Sequence, residues 1–257
     1  MRSGDRRDDI AAYVIAHGQV RIDTLVEHFG VSRMTIHRHV DQLAERGVLR
    51  KLHGAVSAQP SGIYESLFQF RTGLAQKEKL ALAEAALAYV EPGQVVMLDD
   101  STTVAALAPR LAAQAPLTVV TNSLGAAQVL KAADGIELLC PGGQYHATYD
   151  AYIGHVCETA LTRMRADVAV CSASAVDGLD CFIQDAGVVR VKQAMLASAR
   201  TRILLVDQSK FGRTALHHFA RLDMFTHVLV AGGLPPATSR KLTEAGIPFR
   251  EVGKRST

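Results

Sequence analysis

The chain contains no tryptophan, and aromatic residues make up only 5% of its 257 positions. So few aromatics do not suggest a platform for stacking successive bases, and the absence of tryptophan removes one common surface for stacking sugars. Its four cysteines, Cys140, Cys157, Cys171 and Cys181, include no Cys-x-x-Cys pair. Zinc-ribbon spacing and a dense disulfide framework are therefore both absent. Cys140 and Cys171 close apolar runs, where a thiol packs as a small hydrophobe. No apolar run reaches the roughly 18 residues that a spanning helix needs. The charged start Met1-Arg2-Ser3-Gly4-Asp5-Arg6-Arg7-Asp8-Asp9 leads into no apolar signal core. These absences predict a soluble, cytoplasmic protein without a membrane partner.

What is present is ordinary globular material, 48% hydrophobic and 21% charged, which excludes disordered, collagen-like and coiled-coil chains. The length predicts one or two domains. A formal charge of +3 permits an acidic partner without demanding one. No internal repeat of 20–50 residues, the range that marks solenoids and propellers, is evident. The chain changes character near residue 58, where Ala58-Gln59-Pro60-Ser61-Gly62 reads as a linker. This divides it into residues 1–57, a linker over 58–75, and residues 76–257.

The first part reads as helices followed by a hairpin. Asp8 to His17 forms one helix, ended by Gly18. Thr24-Leu25-Val26-Glu27 has capping-box spacing for a second, through Phe29, with Gly30 supplying a left-handed stop. Ser32 is placed to cap a third helix from Arg33 to about Arg46, closed by Gly47. Ile36, Val40 and Leu43 form its buried stripe. Met34, Arg38, Asp41 and Gln42 then point away, with Thr35 and His37 on the flanks. Two short strand-like pieces follow, around a turn, over Val48 to Val56.

Helix, glycine turn, Ser-capped helix and basic hairpin make a winged helix-turn-helix pattern. Ser32, Arg33, Thr35, His37 and Arg38 are the candidate groove-reading residues. Arg50, Lys51 and His53 are the candidate phosphate contacts on the wing. A three-helix unit serving protein contacts alone would leave the turn, cap and basic hairpin unexplained. The segment from Val31 to Val40, with Leu43, Gly47, Leu49 and Leu52-His53-Gly54-Ala55, resembles the DNA-binding domain of DeoR-type repressors of sugar catabolism. It departs from that family at His37, where arginine is usual, at His39, where aspartate is usual, and at Ala55, where the turn usually has a second glycine.

After a helix over Lys77 to Tyr89, apolar runs recur at Val95–Leu98, Leu117–Val120, Ile136–Leu139, Val168–Cys171, Ile203–Val206, Val228–Val230 and Phe249–Val252. Helix-like stretches separate most of them: Thr103–Ala113, Leu124–Ala133, Ala151–Met164, Val188–Ala199 and Thr238–Glu244. This alternation predicts an α/β domain with a mainly parallel sheet. Ligands in such sheets bind beyond the strand C-termini, which selects four loops. They are Asp99-Asp100-Ser101-Thr102-Thr103, Thr121-Asn122-Ser123, Pro141-Gly142-Gly143, and Asp207 through Gly212 with its cation Lys210. Hydroxyls and amides at a helix start suit an anion, whereas Asp100 suits sugar hydroxyls or a cap.

Together these loops resemble the sensor domain of the DeoR family, related in fold to ribose-5-phosphate isomerase and CoA transferases. The resemblance is carried by Phe68-Gln69-Phe70-Arg71, Glu78-Lys79, Pro92-Gly93, Asp99 with Thr102-Thr103, Thr121-Asn122, Gly142-Gly143, Gly154, Asp167 and Asp207-x-Ser209-Lys210-Phe211-Gly212. It spans about Arg7 to Gly233. It implies a homo-oligomeric repressor, dimer or tetramer, that binds double-stranded operator DNA and changes affinity when a phosphorylated sugar binds. Implied effector residues are Asp99, Asp100, Ser101, Thr102, Thr103, Thr121, Asn122, Gly142, Gly143, Lys192 and Lys210. Arg190 and Lys192 would make the pocket more basic if they face it; the alternative for both is a solvated helix face.

An isomerase is the rival reading, with Asp99, Asp100, Lys192 and Lys210 as potential acid-base groups. A DNA-reading module has no obvious use on such an enzyme, and fold analogy licenses no reaction. The expectation is a regulator with no catalytic residue and no cofactor. His146, His155 and Cys157 lack compact ligand spacing, so no metal site is expected. His217-His218 reads as a surface loop pair.

Overall fold

The computed structural model describes residues 3–45, 48–58 and 68–253. The chain forms two compact units, Met1–Leu74 and Ala75–Thr257. The expected linker falls largely outside the described residues, as do Arg46 and Gly47. Within the span 58–75 a short helix, α4, occupies Phe68–Gly73.

The first unit runs α1 (Ser3–His17), β1 (Gln19–Arg21), α2 (Ile22–Phe29), α3 (Arg33–Glu45), β2 (Leu49–Leu52) and β3 (Ala55–Ala58). Its core is one cluster of apolar side chains, among them Ile10, Val14, Leu25, Ile36, Val40, Leu43 and Val56. Gly30 ends α2 at φ 61°, its N–H donating to the Val26 carbonyl at 3.0 Å. Two expectations are corrected. α1 begins at Ser3 rather than Asp8. α2 begins at Ile22, so Thr24 lies inside it and does not cap it. The reason is β1, which pairs antiparallel with β3 and holds Arg21 extended, at φ −72° and ψ 147°. The helix starts directly after that strand, burying Ile22.

The second unit contains α5 (Gln76–Leu87), β4 (Val95–Leu98), α6 (Thr102–Ala105), β5 (Leu117–Thr121), α7 (Leu124–Leu130), β6 (Ile136–Leu139), β7 (Gln144–His146), β8 (Ala151–Ile153) and α8 (His155–Thr162). It continues with β9 (Ala166–Cys171), β10 (Ala175–Asp177), β11 (Asp180–Ile183), α9 (Ala186–Ser198), β12 (Ala199–Asp207), β13 (His217–Arg221), β14 (His227–Ala231), α10 (Pro236–Glu244) and β15 (Phe249–Val252). Seven strands form one sheet in the order β15-β14-β12-β9-β4-β5-β6, parallel at every pairing.

Both faces of that sheet are covered, which explains why its strands read as continuous apolar runs. Period-two alternation sends successive side chains to opposite layers. Val96, Leu98, Val119, Val168, Val170 and Leu205 pack with α5 and α7. Met97, Val120, Ala169, Leu204 and Val206 pack with α8 and α9. β10, β11 and β13 form a small antiparallel sheet, and β7 with β8 a hairpin.

Four local readings are corrected here. The helix expected over Thr103–Ala113 is broken into α6 and a 3-10 turn at Ala108–Gln114, because Pro109 lacks an N–H and crowds the preceding turn. The helix expected from Ala151 begins at His155 instead, since Ala151–Ile153 pair with Gln144–His146 and Gly154 takes φ 87°. His217 and His218 lie on β13, opposite Ile183 and Phe182. Cys140 is exposed rather than packed, because it follows β6, the edge strand of the sheet.

Leu205 is fully buried on β12. Truncating it to alanine removes that packing and leaves a cavity, so Leu205→Ala lowers stability by about 2–5 kcal/mol. Denaturant unfolding of the full chain measures this, and a loss well below about 2 kcal/mol, the low end of that range, would contradict the assigned core.

Candidate DNA interface and effector site

α3 is set by its cap. The Thr35 N–H donates to Ser32 Oγ at 3.2 Å, and the two hydroxyls lie 2.9 Å apart. Arg33 pairs with Asp23 of α2 at 3.3 Å. Both hydroxyls and Arg33 are thus engaged in holding the turn and the start of α3. His37 and Arg38 are exposed on the same helix. On the wing, Arg50, Lys51 and His53 are exposed, and Lys51 forms an ion pair with Asp41 at 2.5 Å. The exposed arginine and histidine of α3 and the arginine, lysine and histidine of the wing make a distribution suited to a polyanion.

His39 faces the other way. It is 2% exposed, and neither ring nitrogen has a hydrogen-bond partner. Burial pushes its pKa below the usual 6.5, and the nearby cations of Arg38, Arg6 and Arg7 add to that shift. The neutral ring therefore packs as core.

In the second unit the polar residues gather where β4, β5 and β9 end. Asp99 directly follows β4 and is fully buried. One of its oxygens accepts the Ser101 N–H at 2.9 Å. The other accepts the Ser172 N–H at 2.8 Å and also binds the Lys192 ammonium. Lys192, 1% exposed on α9, lies 3.7 Å from Asp100 as well. Burial alone would lower the lysine pKa, but Asp99 and Asp100 outweigh it and raise the ammonium above the ordinary lysine range. The side chain stays charged.

Neighbouring residues complete the cluster. Ser101 caps α6 through the Val104 N–H at 3.1 Å, and Thr102 and Thr103 are buried behind it. Thr121 donates to the Leu98 carbonyl at 2.9 Å and accepts the Ser123 N–H at 3.1 Å, tying β5 to β4. Asn122 donates from Nδ2 to the Tyr152 carbonyl at 3.0 Å. Its Oδ1 is buried without a hydrogen-bond partner, which leaves one strong acceptor for a ligand donor. Gly143, after Gly142, stands against Ile153 of β8 and Cys157 of α8. A Cβ on Gly143 would lie 2.6 Å from the Ile153 carbonyl oxygen, so only glycine allows that approach. Lys210 sits half-buried in the 3-10 turn after β12, two strands from β4.

Arg190 and Lys192 do not face one pocket. Two residues apart on a helix, they point to nearly opposite sides. Arg190 pairs with Glu158 at 2.9 Å on the surface, while Lys192 is buried against Asp99. Ser172 is the member that sequence reasoning missed, although it too follows an apolar strand and obeys the same strand-end rule. Cys157 also lies here, its thiol pushed up to about 12 by burial, with Glu158 and Asp100 adding to the shift. That makes it a packing residue rather than a nucleophile. Among the described residues no histidine, cysteine and carboxylate cluster could hold a metal. No described helix is long and apolar enough to cross a membrane. A shallow depression at the opposite end of the sheet, lined by Gly93, Pro116, Leu117, Thr118, Gly135, Ile136 and Glu137, offers a carboxylate and no cation.

A winged helix-turn-helix unit with an exposed basic helix, carried on the same chain as a parallel α/β unit with a polar strand-end cluster, defines a transcriptional regulator with a sensor domain. Residues 6–61 match the DeoR-like helix-turn-helix domain, and residues 74–231 match the DeoR C terminal sensor domain. The chain belongs to the DeoR family. It is a DNA-binding regulator and not an enzyme. It is 31% identical to the uncharacterized HTH-type transcriptional regulator YgbI of Escherichia coli K12, over 93% of this chain and 94% of that protein. It is 29% identical to the glycerol-3-phosphate regulon repressor of the same organism, over 95% and 97%, and 30% identical to the L-fucose operon activator of Haemophilus influenzae, over 89% and 92%. Among solved structures it is similar to ribose 5-phosphate isomerase A of Methanocaldococcus jannaschii, with 20% identity, a TM-score of 0.40, and coverage of 53% and 54%. It is also similar to eIF2B delta of Chaetomium thermophilum, with 15% identity, a TM-score of 0.44, and coverage of 61% and 56%.

Two predictions arise from these sites. Lys192→Met leaves the Asp99 carboxylate buried without its cation, which costs about 3–5 kcal/mol. Unfolding of the full chain measures it, and an unchanged midpoint would contradict the assigned pair. His39, with a depressed folded pKa, contributes full stability above about pH 6.5, its unfolded value. That contribution is lost as the pH falls below this value, because the unfolded chain binds a proton that the folded chain excludes. The melting temperature therefore drops between about pH 7 and 5.5 in wild type and less in His39→Leu. Equal drops in the two proteins would count against the buried neutral ring.

Proposed function

We propose that this chain represses genes of carbohydrate catabolism, and that a phosphorylated sugar bound in its C-terminal domain modulates its grip on operator DNA. Residues 1–57 bind the DNA, 58–75 link the domains, and 76–257 sense the effector. His37 and Arg38 read bases, Ser32, Arg33 and Thr35 hold the helix start against the backbone, and Arg50, Lys51 and His53 contact flanking phosphates. The protein acts in the cytoplasm as a homo-oligomer, dimer or tetramer, which matches two helices to paired half-sites.

The observation that carries the effector assignment is the buried polar cluster at the strand ends, with the Asn122 Oδ1 acceptor unfilled and Asp100 beside the Lys192 cation. Carboxylate and amide oxygens take sugar hydroxyls. Ser101, Thr102 and Thr103 with Lys210 take the phosphate, and Gly142 and Gly143 let the backbone close on the ligand. Relatives named for glycerol 3-phosphate and fucose regulation support a sugar-derived effector. The effector acts by binding one arrangement of the protein better than another.

A panel of sugar phosphates, titrated against the full-length protein, tests this by thermal shift. One compound raises the midpoint while its unphosphorylated sugar does not, and Lys210→Ala weakens that response but keeps operator binding. Arg38→Ala loses specific operator binding and keeps the effector-induced shift. A panel without any shift, or a Lys210→Ala protein with an unchanged response, contradicts the assigned effector site. Turnover of any panel member would favour the isomerase reading.

A further inference from the structure

At 100° per residue, Met34, His37, Arg38 and Asp41 share one arc of α3, opposite the buried Ile36, His39, Val40 and Leu43. Met34 lies near the middle of that arc. It is 82% exposed, more than any other large apolar side chain among the described residues. Its polar neighbours are occupied: Ser32 and Thr35 with each other and the helix cap, Arg33 with Asp23, and Lys51 with Asp41. Among described residues 32–38, the exposed side chains held by no hydrogen bond or ion pair are Met34, His37 and Arg38.

An unbranched thioether at this point contributes nothing to the core. It stands in the first turn of a helix whose N-terminal residues meet base edges in the major groove. Those edges offer hydrogen-bond donors and acceptors at every base pair, and one kind of apolar group, the thymine 5-methyl. A flexible apolar chain on the same arc as Arg38 fits that group and no other on the groove floor. Resting on the DNA-binding function above, we propose that Met34 is a specificity-determining residue that packs on a thymine 5-methyl group in the operator. Arg38, one turn further along the same arc, anchors the helix beside it.

Duplexes enriched from a random-sequence pool by the full-length protein supply the bound site. Each thymidine is then replaced singly by deoxyuridine, which deletes the methyl group and leaves every hydrogen-bonding edge in place. Burial of one methyl-sized group corresponds to about a fourfold change in an equilibrium constant. Wild type therefore loses about fourfold in affinity at one thymine of the site, by the same conversion. Met34→Ala loses nothing at that position, and Met34→Leu, which keeps an apolar surface, retains the sensitivity. Because the side chain is exposed, both variants melt with wild type. Enriched sites that are indifferent to every methyl deletion, or equally sensitive with Met34→Ala, overturn the role of Met34 alone. A pool that yields no enriched sequence overturns the DNA-binding assignment, and this proposal with it.

Discussion

The Asp99 carboxylate joins three parts of the sensor unit that are far apart in the chain. It accepts from Ser101, two residues away, from Ser172, 73 residues away, and from Lys192, 93 residues away. The loop after β4, the end of β9 and the middle of α9 are thereby held at one point. A buried ion pair of this kind is weak evidence for net stability, because desolvation offsets much of the attraction. Its structural effect is positional. It keeps a charged lysine and two carboxylates beneath the strand ends, where an apolar core would otherwise close over the sheet.

That arrangement also sets the chemistry available above it. With two carboxylates around one ammonium, the cluster is not a phosphate cradle. It suits hydroxyl donors, joined by the unfilled Asn122 oxygen. In the function proposed here, a phosphate is held to the side, by the hydroxyls and amides of residues 101–103 and by Lys210. Separating hydroxyl and phosphate recognition in this way gives an effector two differently charged ends to satisfy, which is a basis for discriminating a sugar phosphate from the free sugar.

The main sheet was legible from continuous apolar runs, since strands buried on both faces need no alternation. Ser32 and Gly30 were legible as cap and stop because each acts within a few residues of itself. The misreadings share a different cause. β1 is three residues long, too short for a period-two signal, yet it moves the start of α2 from Thr24 to Ile22. Ala151–Ile153 is apolar enough for a helix, and its pairing with Gln144–His146 and its bridge to Ser123 make it a strand. Lys192 on its helix resembled Arg190 until the fold put one against Asp99 and the other against Glu158. Of the candidate site, the strand-end positions could be chosen from sequence, whereas the pairing that organises them could not, because it joins residues 93 apart.

Hydrogen exchange of the full-length chain, alone and with the sugar phosphate that raises its melting temperature, tests the central claim most directly. Effector bound over the Asp99 cluster slows exchange in residues 99–103, 121–123 and 141–143, and leaves the opposite end of the sheet unchanged. Protection centred instead on Gly93, Pro116–Thr118 and Gly135–Glu137 would place the effector at the wrong end of the strands and contradict the account.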